Sequence, residues 1–168
     1  MDATRHEGQV AFVTGAGSGI GRATARLLAA QGAAVGVADL NEEAAAETVA
    51  LIEADGGRAL AVPVDVRDRA LIRAGRDAVV EAFGPVTRLV NCAGLVTMSG
   101  LDDLTEEEWD LVLDVNLKGY WLVTQEVARA MDGGAIACIS TVEADVVVSS
   151  TGSCQVHYNA SKGGVKML

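Results

Sequence analysis

The sequence predicts an α/β domain in which a parallel sheet carries helices on both faces. Short apolar runs alternate with longer segments of helical period, the pattern that parallel strands and their crossover helices produce. A glycine-rich turn also lies between the first apolar run and the first helical segment, where such sheets hold phosphate groups. The 168 residues suffice for one domain spanning 1–168 with a single core, and no linker or repeat divides them.

Val10 to Val13 is the first strand, and a helix from about Ile20 to Gln31 follows, ended by Gly32. The second strand, Ala34 to Ala38, finishes at Asp39. Asn41 is the expected N-cap of the next helix, with Glu42 and Glu43 in its first turn, where the dipole favours carboxylates. That helix should end before Gly56-Gly57. Ala59 to Val62 reads as the third strand, and Pro63 near its end implies an edge or a strand terminus. A helix from about Asp68 to Phe83 stops at Gly84-Pro85, and Arg88 to Asn91 is a short fourth strand. Thr105 with Glu108 matches a capping box that opens a long helix reaching towards Met131. Ala135 to Ile139 is the fifth strand, and Val146-Val147-Val148 should form a short extended piece or an apolar flap. The last helix is expected to begin near Tyr158 and to be still running at Leu168. With no helix-stop signal there, a chain cut within an element is expected; a short, fraying terminal helix is the alternative.

Composition narrows the function classes. Hydrophobic residues make up 50% and charged residues 21%, as in a soluble globular protein. The formal charge of −10 argues against a nucleic-acid or anionic-membrane partner. It does not exclude a phosphate-bearing cofactor, because backbone amides and a helix N-terminus hold phosphate without net positive charge. Cys92, Cys138 and Cys154 have no metal-ligand spacing, and an odd count without a framework suggests a reducing compartment. The polar N-terminus lacks the apolar core of a signal peptide, and no apolar stretch approaches a membrane span. A cytoplasmic protein is expected.

Thr14-Gly15-Ala16-Gly17-Ser18-Gly19-Ile20-Gly21 forms the glycine-rich turn. Its glycines permit a tight bend and close approach of the backbone to a pyrophosphate resting at the helix N-terminus. Asp39 stands eighteen residues beyond Gly21, near the roughly 20-residue offset expected of an acid that binds the ribose hydroxyls. Its carboxylate would repel a 2′-phosphate, and Leu40 and Ser18 bring no cation to welcome one. NAD(H) is therefore expected over NADP(H), although Arg22 stands near the turn. The plainer alternative for Asp39 is a helix-capping or solvent-facing carboxylate.

Further motifs follow in order: Asp65-Val66, Asn91-Cys92-Ala93-Gly94, Asn116, and Tyr158-Asn159-Ala160-Ser161-Lys162. Together with the turn, they make the chain from Gln9 onward resemble the classical short-chain dehydrogenases/reductases, with their Rossmann-type, doubly wound, three-layer α/β/α fold. The resemblance implies an NAD-dependent interconversion of an alcohol and a carbonyl by hydride transfer, with catalytic residues Asn116, Ser140 or Thr141, Tyr158 and Lys162. Residues four apart share a helix face, so the Lys162 ammonium is expected beside the Tyr158 phenol, favouring phenolate and lowering its pKa from about 10. Tyr158 would then exchange the substrate proton near working pH. Asn116 would support a water that links the lysine to solvent.

The resemblance also implies cofactor contacts at Gly15, Gly17, Ser18, Gly19, Ile20, Gly21, Asp39 and Leu40. Asp65 would take the adenine amino group, helped by the Val66 amide. Asn91, Ala93 and Gly94 would line the nucleotide beside the fourth strand, and Tyr158 and Lys162 would reach the nicotinamide ribose. The family's substrate-orienting serine corresponds to Thr141, with Ser140 as fallback. Cys92 replaces a frequent asparagine and should be buried rather than reactive. Val146 to Cys154 looks like an insertion whose Ser149, Ser150 and Ser153 are loop formers. His157 is expected to face solvent or line the pocket rim, His6 to belong to the tail, and Trp109 and Trp121 to be core or subunit contacts. Glu106, Glu107 and Glu108 read as a capped helix start rather than a metal cluster.

Members of that family continue beyond this helix with a sixth strand, a substrate-covering lid, another helix and a seventh strand. Without the last two strands, the fifth would be an exposed edge. Two functional readings follow: an oxidoreductase represented by its N-terminal part, homo-oligomeric (dimer or tetramer) when intact, or a truncated module that binds NAD(H) weakly and catalyses nothing. A sugar-nucleotide epimerase is disfavoured by the glycine spacing.

Overall fold

The computed structural model describes residues 4–146 and 154–168. Five parallel strands form one sheet in the order β3-β2-β1-β4-β5, where β1 is Val10–Thr14, β2 Ala34–Asp39, β3 Arg58–Pro63, β4 Arg88–Asn91 and β5 Ala135–Cys138. The helices are α1 (Gly19–Ala30), α2 (Glu42–Ala54), α3 (Arg69–Phe83), α4 (Glu106–Leu113), α5 (Gly119–Ala128) and α6 (Val156–Lys166). This is the doubly wound Rossmann-like fold that the sequence predicts. The strand order reverses between β1 and β4, and a crevice opens at the carboxyl ends of the strands there.

The core has two sides because strand side chains alternate. Phe12 packs with Ile72, Val79, Leu89 and Val123 on the α3/α5 side, all at 0% exposure. Ala11, Val13, Val35 and Val37 pack with Ala25 and Ile52 on the α1/α2 side. A buried charge cluster supplements the first side. Glu126, 1% exposed, meets Arg69, Arg73 at 3.2 Å and Arg129 at 3.2 Å, and the arginines hold its carboxyl below the usual range. Arg69 and Arg73 stand on α3, so the cluster ties that helix to α5.

The expected caps are present. The Asn41 side chain accepts from the Ala44 amide at 3.0 Å, Asp68 caps α3, and Thr105 and Glu108 close a reciprocal capping box. Pro63 ends β3 at the sheet edge, where its missing N–H costs no ladder bond.

Several expectations need correction. The long helix does run unbroken from Glu106 to Ala128, but it contains a π-helical turn, Asp114–Lys118, which places Asn116 fully in the interior. Helix α6 begins at Val156 rather than Tyr158 and ends at Lys166, with Met167 as its C-cap. Of the two expectations for Trp109 and Trp121, core is excluded by their 39% and 46% exposure, and subunit contact stays open. Val146 is exposed, whereas Val147, Val148, Ser149, Ser150 and Ser153 lie outside the described residues.

Candidate active site

The glycine-rich turn is shaped by contacts that admit no side chain. Gly15 has φ +63°, and a Cβ there would lie 2.8 Å from the Ala93 Cα. A Cβ on Gly21 would lie 2.1 Å from the Gly15 carbonyl oxygen, so the turn and the first turn of α1 touch through backbone alone. Ser18 is the N-cap of α1 but caps with no side-chain bond.

The peptide of Gly17 is held at both ends. Its N–H donates to Asp39 Oδ2 at 2.8 Å, and its carbonyl accepts from Arg22 Nε at 2.9 Å. The Arg22 guanidinium is occupied there, donating also to Thr48 Oγ1 at 3.0 Å and pairing with Glu47 at 2.7 Å. Asp39 Oδ1 accepts from the Asn41 amide at 2.9 Å, so Asp39 both braces the turn and faces the crevice.

That crevice is a cleft of about 500 Å³. Gly15, Ser18, Gly19, Ile20 and Gly21 line it from the turn, Asp39 and Leu40 from the end of β2, and Asp65 and Val66 from the end of β3. Ala93 and Gly94 line it after β4, and Leu111 and Val115 close the opposite wall. Four expected contacts, Gly17, Asn91, Tyr158 and Lys162, lie off its surface. Gly17 is the braced peptide just described, and Asn91 is buried, donating to Thr124 Oγ1 at 3.0 Å and to Cys138 Sγ at 3.5 Å. Cys92 does line the cleft, and burial pushes its thiol pKa up, as suits an unreactive cysteine.

Beyond Gly94 the structure gathers a second group of residues. A Cβ on Gly94 would lie 3.2 Å from Asn116 Oδ1 and 3.7 Å from Lys162 Nζ, so the cleft floor abuts them. Asn116 is engaged on every side: Oδ1 accepts from the Leu95 amide at 2.9 Å, and Nδ2 donates to Leu95 O at 2.8 Å and Ser161 Oγ at 3.2 Å. Lys162, 4% exposed, donates to Ile139 O at 2.7 Å and to the Tyr120 hydroxyl at 3.3 Å. Its Nζ is 5.9 Å from the centre of the Tyr158 ring and nearer, 4.8 Å, to that of Tyr120. The two helix positions do share a face, but the ammonium turns towards a carbonyl and a second phenol. Burial lowers the Lys162 pKa and raises that of Tyr120 well above the ordinary phenol range.

Ser140 and Thr141 stand beside this centre with different duties. Ser140 Oγ donates to the Lys162 carbonyl at 3.0 Å, spending its proton on α6. Thr141 Oγ1 accepts from the Glu143 amide at 3.4 Å, a bond that leaves its own proton free. Four of the expected catalytic residues therefore converge: Lys162 with Ser140 through α6, and Asn116 through Ser161, with Tyr158 one turn before Lys162.

Three residues near the site were missed or misplaced in the sequence. Tyr120 belongs to no motif of the sequence, and only the fold brings its hydroxyl to Lys162. Arg67 lines the cleft beside Asp65. His157 is not at the surface: it is 0% exposed, with Nε2 2.9 Å from Thr97 Oγ1 and Nδ1 without a partner among the described residues. Burial lowers its pKa.

The chain is similar to known proteins over most of its length. The family model described as short chain dehydrogenase matches residues 9–168. D-threitol dehydrogenase of Mycolicibacterium smegmatis is 39% identical over 164 residues, which cover 96% of this chain and 62% of that enzyme. The 2,3-dihydro-2,3-dihydroxybenzoate dehydrogenase of Bacillus subtilis is 35% identical, with 100% of this chain and 64% of the relative covered. A dehydrogenase/reductase from Sinorhizobium meliloti superposes with a TM-score of 0.89 at 37% identity, covering 95% of this chain and 63% of its own. The chain thus spans less than two thirds of the length of these relatives. Fold, ordered motifs and family match lead to one conclusion: the chain belongs to the short chain dehydrogenase family.

Proposed function

We propose that this chain carries the NAD(H) site and the proton-transfer residues of an oxidoreductase that interconverts an alcohol and a carbonyl. The observation that carries the reading is continuity: one cleft runs from Asp39 past the glycine turn to Gly94, which touches Asn116 and Lys162. The turn fits a dinucleotide, because the bare backbone at Gly15 and Gly21 packs against Ala93 and against the turn itself, the tight bend that lets a pyrophosphate approach the start of α1. Gly15 to Gly21 would hold the pyrophosphate, Asp39 and Leu40 the adenosine ribose, and Asp65 and Val66 the adenine. When bound, the nicotinamide supplies or accepts the hydride. Asp39 favours NAD(H) by presenting a carboxylate where NADP(H) carries its phosphate.

The chain's own residues manage the proton. Tyr158 exchanges it with the substrate oxygen, and the Lys162 ammonium favours the phenolate form through its positive charge. The Ile139 carbonyl restrains that ammonium, while Asn116 fixes the Leu95 backbone in front of it. Thr141 orients the substrate, because its hydroxyl proton is free whereas that of Ser140 is spent. The substrate is a small molecule. In the intact protein we expect a homo-oligomer, to which the exposed Trp109 and Trp121 are suited. No helix among the described residues is long and apolar enough to cross a membrane, in keeping with the cytoplasmic location we favour.

NADH binding measured by calorimetry, followed by turnover with a panel of alcohols and ketones, tests the reading. Tyr158→Phe should abolish turnover and leave NADH affinity within about threefold. Activity that survives the substitution excludes Tyr158 as the acid/base. A second reading is favoured by one observation: Tyr158 is not among the residues lining the cleft. A chain that binds NADH and turns over nothing would be the non-catalytic nucleotide module.

A further inference from the structure

We propose that Arg67 covers the face of the adenine ring while Asp65 holds its edge, the two side chains reading the base as one unit. The proposal rests on the NAD(H) reading above and adds a specificity residue to it. Arg67 is the one cationic side chain lining the cleft among the described residues. Its guanidinium is pinned to Asp65: Nε lies 3.0 Å from Oδ1 and 3.2 Å from Oδ2, and Nη2 lies 2.6 Å from Oδ2. The Arg67 amide donates to the same carboxylate at 2.9 Å. Asp114, on the π turn, adds a second electrostatic pull on the guanidinium. Yet the Arg67 side chain remains 42% exposed, so the ion pair orients the plane without burying it.

This arrangement suits a flat heterocycle better than a phosphate. A guanidinium already held in one orientation loses little freedom when an aromatic ring stacks on it. The surrounding lining is apolar, with Leu40, Val66, Leu111 and Val115 available to pack against a base. Charge points the same way: Asp65 neutralises Arg67, and Asp39 and Asp114 leave this end of the cleft acidic, which disfavours an added phosphate. Three N–H groups of Arg67 already engage the Asp65 carboxylate, which leaves about one of its roughly four lone-pair sites for a further donor. An adenine amino group can donate to it, whereas the carbonyl at the same position of hypoxanthine would be repelled.

Equilibrium binding to the full chain decides the matter, with ADP-ribose, NADH, NADPH and reduced nicotinamide mononucleotide as probes. Arg67→Lys and Arg67→Ala should each weaken ADP-ribose and NADH by about tenfold, the scale of a stacking contact. Binding of the mononucleotide, which lacks adenine, should not change, and neither should the unfolding midpoint. Wild-type protein should bind nicotinamide hypoxanthine dinucleotide more weakly than NADH. Wild-type affinity for ADP-ribose in Arg67→Lys overturns the proposal, and a loss confined to NADPH would make Arg67 a phosphate contact instead. If the unaltered chain binds neither ADP-ribose nor NADH, the nucleotide reading itself falls, a result distinct from an Arg67 variant that binds as well as wild type.

Discussion

Strands β1 and β5 belong to one parallel sheet and are separated only by β4, yet their surroundings differ completely. All five residues of β1 are buried, whereas Ala135, Ile136 and Ala137 of β5 are exposed, Ile136 by 42%. Around β1 the sheet is packed on both faces. Around β5, polar contacts add to the packing: Lys162 to Ile139 O, Ser140 to Lys162 O, and Asn116 to Ser161. Neighbouring parts of one sheet therefore draw on different forces.

The sharpest way to break this comparison is to remove one side chain from each strand. Phe12→Ala should lose about 3–5 kcal/mol in denaturant unfolding, the cost of emptying a packed aromatic site. Ile136→Ala should lose less than about 1 kcal/mol, because much of its side chain already meets water. Equal losses would show that β5 is packed as firmly as β1. Next in size is Lys162→Ala, which takes one partner each from the Ile139 carbonyl and the Tyr120 hydroxyl and leaves them the longer 3.4 Å bond to each other. A loss of about 1–3 kcal/mol is expected, with faster hydrogen exchange confined to β5 and α6.

Smaller effects sharpen the contrast. Asn41→Ala and Thr105→Ala remove the caps of α2 and α4, and each should cost about 1 kcal/mol. Matching losses would show that local capping is alike in both and that the difference lies in packing. The smallest effect concerns His157. Burial depresses its pKa, so the folded chain resists protonation that the unfolded chain accepts. Its contribution is present above the unfolded value of about 6.5 and is lost as the pH falls towards the folded one. The unfolding midpoint should drop on acidification across that window, and His157→Gln should flatten the decline.

Much of the fold was legible because local rules agreed. Asn41, Asp68 and Thr105 announce helix starts through side-chain oxygens that act within three residues, and Pro63 marks an edge through its missing donor. The glycine turn was equally readable, since Gly15 and Gly21 are places where backbone meets backbone. What escaped depends on partners far apart in sequence. Glu126 reads as a surface carboxylate until Arg69 and Arg73 arrive from 57 and 53 residues away. Tyr120 gains its meaning only from Lys162, 42 residues on, and His157 meets Thr97, 60 residues earlier. Trp109 and Trp121 read as core or as subunit contacts alike, because the sequence does not tell which flank of the helix the sheet covers.

The π turn at Asp114–Lys118 carries an evolutionary consequence. An α-helix rotates about 100° per residue, so the extra residue in this turn swings everything after it around the helix axis. Asn116 reaches Leu95 from within that turn, and Tyr120 reaches Lys162 from the helical turn just after it. Losing one residue here would dismantle both contacts together, whereas exchanging one exposed residue for another would disturb neither. Selection on this stretch should act on its length more strictly than on its composition, and a deletion would have no gradual path to compensation.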